Sequence, residues 1–382
     1  MRPPSRYLIV TAVLILFLGL FLGRSQKKMR DFEVNYLTGE RIVRGETLYR
    51  TEDGHYQFKY SPFSAILYAP LANLPLPLAK GIWFFIVLIS SGLIFVLSER
   101  LVGMPAKRTW FMAALPALVT AKYFLRELDL GQINAVITLI LLIMISLLSA
   151  RENLCPKAQS GAGLLWGLAA ALKPYALIFV PYLLIKKKWR ALAAGSAVLV
   201  LAFFSPILFY GWNGNIQVHQ EWRSSLSVSS PPLFGVQDNV SLVGFFAKWT
   251  GRRDLASGLA MAAVLMLAFL VLLLIRKGKG LAKPELLETF LLLMLMPLVS
   301  PLGWDYTFLA GMPAVILIVR YWTDIPKPWR FGLAINLAVI ALSFFDLMGR
   351  QAYETFMALS LPTANFLILV GYLAALRMKG KA

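Results

Sequence analysis

The sequence predicts an all-α polytopic membrane protein, and three observations support this fold class. Hydrophobic residues make up 58% of the 382 residues and charged residues only 15%, whereas a soluble globular chain carries about 25% charged residues. The mean hydropathy is +0.68. Several apolar runs without a charged residue are long enough to cross the bilayer core as a helix: 81–98, 130–150, 191–220, 255–275 and 355–376. These observations exclude a soluble enzyme, a disordered tail and a disulfide-built secreted domain.

Hydropathy and length predict a bundle of about twelve transmembrane helices within a single transmembrane domain, 1–382. The first, 7–23, follows a short basic start and lacks a small-residue cleavage site, which favours an uncleaved signal anchor. The other predicted spans lie near 79–98, 109–124, 131–149, 161–173, 174–185, 190–210, 255–275, 286–300, 306–321, 331–346 and 360–376. Alternate connections are basic, and the positive-inside rule therefore predicts cytoplasmic N- and C-termini in the cell (inner or plasma) membrane.

The net charge of +19 comes from 38 Lys and Arg against 19 Asp and Glu. Basic residues cluster at the ends of apolar runs and no aromatic-basic recognition module accompanies them, so membrane lipids are expected as partners and nucleic acid is not. The single cysteine, Cys155, excludes an intramolecular disulfide and a cysteine-based zinc cluster. His55 and His219 are the only histidines. We therefore expect no metal and no cofactor.

Two long connections are predicted on the extracytoplasmic face. The first long connection, 24–78, mixes charges of both signs, and the second, 211–254, is rich in Trp, Ser, Pro and Asn. Loops of this length usually carry function. Prolines interrupt the apolar stretch 61–78, which favours an interfacial or re-entrant segment over a span. The predicted span 174–185 would give only about 18 Å of helix against a hydrocarbon core of about 30 Å, so we expect it to line a protein-enclosed cavity.

Several polar residues lie at the predicted outer ends of spans. Asp31, just past the first span, is a candidate general base for an incoming hydroxyl, although an ordinary solvated loop acid is the alternative. Gln132 and Asn134 need hydrogen-bonding partners if they lie inside the membrane, and helix capping or interhelical hydrogen bonds are the structural alternative. Lys173 precedes a helix-breaking proline, Pro174, between two half-length apolar segments. A phosphate would account for this lysine, and snorkelling to the interface is the alternative.

The turn Ser300-Pro301-Leu302-Gly303-Trp304-Asp305-Tyr306 is the last polar cluster. Aromatic anchoring at the membrane interface explains Trp304 and Tyr306 but leaves Asp305 unexplained.

These motifs occur in an order that resembles glycosyltransferase family 87 over about residues 1–320. The matching segments are Asp31, 45–49, Tyr60-Ser61-Pro62, Gly131-Gln132-Ile133-Asn134, Leu172-Lys173-Pro174, Asp238-Asn239-Val240-Ser241-Leu242 and Ser300-Pro301 with Trp304-Asp305. The resemblance implies a GT-C fold enzyme with a catalytic first long connection that takes mannose or a related sugar from a polyprenyl-phosphate carrier. Family members often carry a histidine soon after the tryptophan of the last motif, where this chain has Tyr306. That difference puts in question any catalytic role carried over to this position.

The resemblance implies an inverting transfer to a lipid or glycan acceptor on the outer face, with Asp31 as general base. We expect substrate-binding roles for eight further residues: Tyr60, Arg126, Gln132, Asn134, Lys173, Trp304, Asp305 and Tyr306. One base and charge stabilisation for the departing phosphate suffice for such a displacement, because a lipid phosphate leaves as an anion. A polysaccharide polymerase, a lipid-linked sugar flippase and a transporter remain alternatives. The sugar, the acceptor, the pathway and the oligomeric state do not follow from the sequence.

Overall fold

The computed structural model describes residues 16–104, 110–149, 156–276 and 284–378. These ranges contain helices and turns but no β-strand, apart from an isolated bridge between Asn239 and Trp304. The predicted all-α fold is confirmed. Most of the predicted first span, 7–23, lies outside the described residues.

The described helices run in chain order from a π-helical turn, Phe21–Ser25, and a one-turn helix, Gln26–Lys28. The longer α-helices are α1 Arg30–Val43, α2 Pro62–Ala72, α3 Leu76–Val102, α4 Trp110–Leu130, α5 Asn134–Ser149, α6 Pro156–Leu172, α7 Phe179–Ile185, α8 Trp189–Phe204, α9 Ile207–Ser229, α10 Leu242–Thr250, α11 Arg253–Arg276, α12 Pro284–Val299, α13 Met312–Arg320, α14 Lys327–Leu342, α15 Phe345–Met348, α16 Arg350–Ala358 and α17 Leu361–Met378. Short 3₁₀ segments include Thr51–Tyr56, Pro174–Ile178, Pro231–Leu233, Asp305–Gly311 and Trp322–Asp324.

Three helices in the described ranges are long and apolar enough to cross a membrane, namely α3, α11 and α17. A fourth span is obtained if α8 and the helix that follows it are counted as one span bent by 89°. Other predicted spans coincide with shorter apolar helices such as α5. The predicted count of about twelve therefore stays a prediction.

Helix α12 explains why apolar runs of this chain do not all behave as lipid-facing spans. Every residue from Leu286 to Leu298 in this helix is buried within the protein. The helix therefore lies at the centre of the bundle, where neighbouring helices take the place of lipid. A sequence pattern alone does not distinguish these two apolar surroundings.

The predicted weak span 174–185 is divided into two pieces in the structure. Pro174 begins a 3₁₀ segment that ends at Ile178, and α7 follows. Lys173 itself is extended, with φ −140° and ψ 117°, because a residue before proline is sterically disfavoured in the helical region. The break leaves Lys173 between α6 and the 3₁₀ segment.

The first long connection folds into two packed helices, α1 and α2. A Cβ at Gly39 of α1 would lie 2.8 Å from the carbonyl carbon of Tyr68 in α2, so only glycine allows this close approach. The hydroxyls of Ser61 and Ser64 donate to the carbonyls of Ala171 and Leu172 at 2.5 and 3.0 Å. These bonds tie the start of α2 to the end of α6, directly before Lys173.

The second long connection is also largely helical. Helix α9 follows α8 with a sharp bend, and Gly211 within α9 has φ +68°, which marks a kink. The indole of Trp222 donates to the carbonyl of Lys59 at 3.1 Å. Helix α9 is thereby fixed against the first long connection, and the two connections together enclose a cavity.

Candidate active site

A cavity of about 1270 Å³ lies between the two long connections and the ends of several bundle helices. Seven of the predicted site residues line this cavity: Asp31, Tyr60, Arg126, Gln132, Lys173, Trp304 and Tyr306. Asn134 and Asp305 lie behind the lining and contact it through hydrogen bonds. The structure therefore brings together residues that are separated by up to about 270 positions in the chain.

Asp31 is positioned by close packing of α1 on the turn between α4 and α5. Gly131 in this turn has φ +69°, and a Cβ there would lie 2.7 Å from Cβ of Phe32. The indole of Trp83 donates to the carbonyl of Gly131 at 2.8 Å. A side chain at position 131 would therefore both strain the turn and push α1, with Asp31, away from Gln132.

The amide of Gln132 connects three predicted site residues. Its Nε2 donates to Oδ2 of Asp31 at 2.5 Å and to the hydroxyl of Tyr306 at 3.1 Å. Its Oε1 accepts from the hydroxyl of Tyr60 at 2.8 Å. Burial is the main reason that the pKa of Tyr60 is raised. Its phenol therefore stays protonated and donates to Gln132. This arrangement fixes the amide orientation and presents a hydrogen-bond donor to the carboxylate of Asp31.

Lys173 points into the same group of side chains. Its Nζ donates to Oδ1 of Asn134 at 2.7 Å and lies 4.8 Å from the ring centroid of Tyr60. The hydroxyl of Tyr175 donates to the same Oδ1 at 3.2 Å. The ammonium group is thus held on the cavity lining by an amide oxygen and an aromatic face.

An ion pair with Arg126 accounts for the presence of Asp305 in this turn. The guanidinium of Arg126 pairs with Asp305 at 2.8 Å and with Asp238 of the second long connection at 2.9 Å. The other oxygen of Asp305 accepts from the backbone N–H of Tyr306 at 2.8 Å. Arg126 therefore joins the second long connection to the turn that carries Tyr306, and its charge is already balanced by two carboxylates.

Trp304 lies in a turn that is fixed by Asn239. The Asn239 side chain accepts from the backbone N–H of Gly303 at 3.1 Å and donates to the carbonyl of Pro301 at 3.2 Å. The N–H of Val240 donates to the carbonyl of Gly303 at 2.7 Å. A Cβ at Gly303 would lie 1.9 Å from the carbonyl oxygen of Pro297. The resemblance motifs 238–242 and 300–305 therefore form one structural unit.

Sequence reasoning missed Glu127, Tyr175 and the charged lining residue Arg223 as parts of this region. Glu127 is fully buried and accepts from Nδ2 of Asn134 at 2.8 Å and from the N–H of Ala135 at 2.9 Å. In the sequence, the only feature that could have indicated Glu127 was its place in the charged run Arg126-Glu127-Leu128-Asp129. Lys59 also lines the cavity, and burial lowers its pKa.

Within the described ranges, no group of three or more His, Cys, Asp or Glu side chains is arranged to hold a metal ion. The cavity lining instead carries two carboxylates, several phenols and several cations. Of the two carboxylates, Asp31 is held by an amide donor and Asp238 is paired with Arg126.

An apolar helical bundle with a cavity that carries several charged side chains at its helix ends is typical of an integral-membrane enzyme, and comparison with known sequences gives its family. The profile of glycosyltransferase family 87 matches residues 58–301, more than half of the chain. The chain belongs to glycosyltransferase family 87 and is a membrane glycosyltransferase, as the sequence motifs indicated.

Similar proteins include two mannosyltransferases and an arabinofuranosyltransferase. The polyprenol-phosphate-mannose-dependent alpha-(1-2)-phosphatidylinositol mannoside mannosyltransferase of Mycobacterium tuberculosis is 26% identical, over 74% of this chain and 67% of that protein. The corresponding pentamannoside mannosyltransferase of Mycolicibacterium smegmatis is 27% identical, over 71% of this chain and 63% of its own length. The alpha-(1->3)-arabinofuranosyltransferase of Corynebacterium glutamicum is 27% identical, over 47% of this chain and 40% of that protein. No solved structure matches this chain.

Proposed function

We propose that the protein transfers mannose, or a related hexose or pentose, from a polyprenyl-phosphate carrier to a lipid or glycan acceptor on the extracytoplasmic face, with inversion and with Asp31 as general base. The observation that carries this proposal is the shared cavity of Asp31 and Lys173. The carboxylate contacts Gln132, the ammonium contacts Asn134, and Nδ2 of Asn134 lies 3.5 Å from Oε1 of Gln132. Two relatives are named for a polyprenol-phosphate-mannose donor. A third relative is named for transfer of arabinofuranose, a pentose, which is why the proposal includes pentoses as donor sugars.

In the proposed reaction, the carboxylate of Asp31 accepts the proton of the acceptor hydroxyl as its oxygen attacks the anomeric carbon. The bond between that carbon and the phosphate oxygen breaks, and the polyprenyl phosphate leaves with the bonding electron pair as an anion. No acid is needed on the leaving side. Gln132 holds Asp31 through the 2.5 Å bond and so limits its orientation.

Lys173 is the cation proposed to stabilise the departing phosphate. It lies on the cavity lining and its partner is a neutral amide oxygen, so its positive charge is available to an anion. Arg126 differs because two carboxylates already engage it. Its contribution to substrate binding would require one of these ion pairs to open.

Tyr60, Asn134, Trp304, Asp305 and Tyr306 complete the proposed site. Tyr60 and Tyr306 hold the Gln132 amide, Asn134 holds Lys173, and Asp305 holds Arg126. Trp304 also lines the cavity. We assign Tyr306 a supporting role, since its hydroxyl accepts from Gln132.

The function is tested by measuring transfer of radiolabelled mannose from a polyprenyl-phosphate donor into extracted membrane lipids and glycans. Membranes with the wild-type chain are expected to form a labelled product, whereas membranes with Asp31→Asn at matched protein levels are not. A soluble nucleotide sugar serves as the negative donor control. Movement of lipid-linked sugar across vesicles without formation of a new glycosidic bond would instead favour a flippase.

The proposed topology is tested with single cysteines at two exposed positions, Thr51 and Lys187. The native Cys155 is first replaced by serine. An impermeant thiol reagent on intact cells is expected to label position 51, and position 187 only after permeabilisation. The opposite labelling pattern would invert the topology and move the cavity to the cytoplasmic side.

A further inference from the structure

Glu127 is a fully buried acid next to the proposed site, and no role has been assigned to it above. It lies in the last turn of α4, where its Oε1 accepts from the N–H of Ala135 at 2.9 Å and its Oε2 accepts from Nδ2 of Asn134 at 2.8 Å. A carboxylate is costly to bury unless it is hydrogen-bonded and compensated by a positive charge. The first positive charge beyond these contacts is Lys173, which Asn134 also contacts.

The direction of these hydrogen bonds fixes the Asn134 side chain. An amide has a donating side and an accepting side, and a carboxylate can only accept. Because Nδ2 of Asn134 donates to Glu127, its Oδ1 must face Lys173 and Tyr175. Nδ2 also donates to Oε1 of Gln132, but at 3.5 Å, so the acid makes the shorter of the two contacts that set which end of the amide the lysine meets.

The geometry points to Glu127 as a positioning residue that orients Asn134, so that the Asn134 oxygen holds the Lys173 ammonium on the cavity lining. Glu127 does not line the cavity and contacts no substrate in this scheme. The inference rests on the proposed function, in which Lys173 meets the donor phosphate. According to this inference, the contact between Lys173 and the donor phosphate depends on Glu127, although the substrate never touches this acid.

The competing explanation is structural, since Glu127 also caps the start of α5 through Ala135. Glu127→Gln separates the two roles. The introduced amide retains a carbonyl oxygen for Ala135, but its NH₂ group faces the NH₂ group of Asn134. Asn134 then either keeps its orientation with two NH₂ groups facing each other, or rotates and turns its Nδ2 toward Lys173, which thereby loses its acceptor.

The test measures donor KM and kcat in proteoliposomes with a polyprenyl-phosphate mannose donor. Glu127→Gln is expected to raise the donor KM about tenfold, as expected for a lost charge-assisted contact. Glu127→Asp is expected to keep the donor KM within about threefold of wild type, because its carboxylate can only accept a hydrogen bond and so still orients Asn134.

Glu288→Gln is the matched control, because Glu288 is equally buried but its ion-pair partners, Lys186 and Arg377, lie away from the cavity. Its donor KM is expected to equal that of wild type. A wild-type donor KM in Glu127→Gln would overturn the inference. So would an equal rise in Glu127→Asp, since that variant keeps a group that can only accept from Asn134. If Glu127→Gln does not fold, Asn134→Leu is expected to raise the donor KM about tenfold, because it removes the oxygen that holds Lys173, and a wild-type donor KM in that variant would overturn the inference.

A second readout does not depend on sugar transfer. Binding of decaprenyl phosphate is measured as the shift it causes in the unfolding temperature. A weaker shift in Glu127→Gln than in wild type and Glu127→Asp supports the inference even if wild-type protein transfers no mannose, in which case only the proposed function fails. Equal shifts in all three proteins overturn the inference alone.

Discussion

The two acids Glu127 and Glu288 are almost equally buried, but their surroundings differ. Glu288 pairs directly with Lys186 at 2.7 Å and with Arg377 at 3.2 Å. Glu127 reaches a cation only through the amide of Asn134. Along α12, Glu288 is about 18 Å from Ser300 on the cavity lining. The two acids therefore belong to different ends of the bundle.

This difference separates a structural ion cluster from a candidate functional one. Where an acid contacts two cations directly, their charges are balanced and little electrostatic attraction is left for a ligand. Where an amide lies between acid and cation, the cation keeps a positive field toward the cavity. We therefore expect substitutions around Glu288 to change stability, and substitutions around Asp31 and Lys173 to change sugar transfer.

The largest effect is expected at Asp31, the proposed general base. Asp31→Asn is expected to reduce kcat about 100- to 10,000-fold, because the amide keeps size and polarity but has no useful basicity. The introduced carbonyl can still accept from Gln132, so folding and membrane insertion should be retained. Transfer from a polyprenyl-phosphate donor is measured at matched protein levels. Near-normal rates in this variant would show that another group is the base.

The next largest effect is expected at Lys173. Lys173→Gln is expected to weaken donor use about tenfold or more, because it removes a charge-assisted contact worth about 1.5–3 kcal/mol. Lys173→Arg should keep part of the activity, since the charge survives while its geometry changes. Donor KM or donor affinity is measured for both variants. Equal donor affinity in wild type and Lys173→Gln would exclude the phosphate contact.

The sequence was a good guide where local chemistry decides the structure. The all-α fold followed from long uncharged runs, and the break at Lys173 followed from Pro174. The number of spans stays a prediction, because an apolar helix that faces protein, such as α12, and one that faces lipid have the same sequence pattern. Most of helix α9 lies within the second long connection, where the mixed polar composition has no clear apolar periodicity that would predict a helix.

The candidate site shows the same limit. Asp31, Gln132 and Lys173 could be selected individually because each is a polar residue at the end of an apolar segment. Glu127 could not, since its importance depends on the turn at Gly131 that brings the end of α4 against the start of α5. Contacts between residues far apart in the chain are set by packing, which the motif pattern does not encode.

A smaller effect is expected at Tyr306, the position where family members often carry histidine. Tyr306→Phe removes one of two acceptors from Nε2 of Gln132, while the bond to Asp31 remains. The net value of one such hydrogen bond is about 0.5–1.5 kcal/mol, so kcat is expected to fall about two- to tenfold. Tyr306→His should lose less, because an imidazole nitrogen can also accept from Gln132. A loss as large as that of Asp31→Asn would instead assign the phenol a direct part in the reaction.

The smallest effect on transfer is expected at Glu288, although the effect on stability is large. Glu288→Gln removes the negative charge shared by Lys186 and Arg377, and Arg377 is itself fully buried. Removing one partner of a buried ion cluster lowers the free energy of unfolding by about 3–5 kcal/mol, because the remaining charges stay desolvated without a partner. The unfolding temperature in detergent or lipid should fall clearly, whereas kcat and donor KM of the folded fraction should equal those of wild type. Unchanged stability together with impaired donor use would contradict this prediction. It would show that the ion cluster of Glu288 affects the cavity and not the stability of the fold.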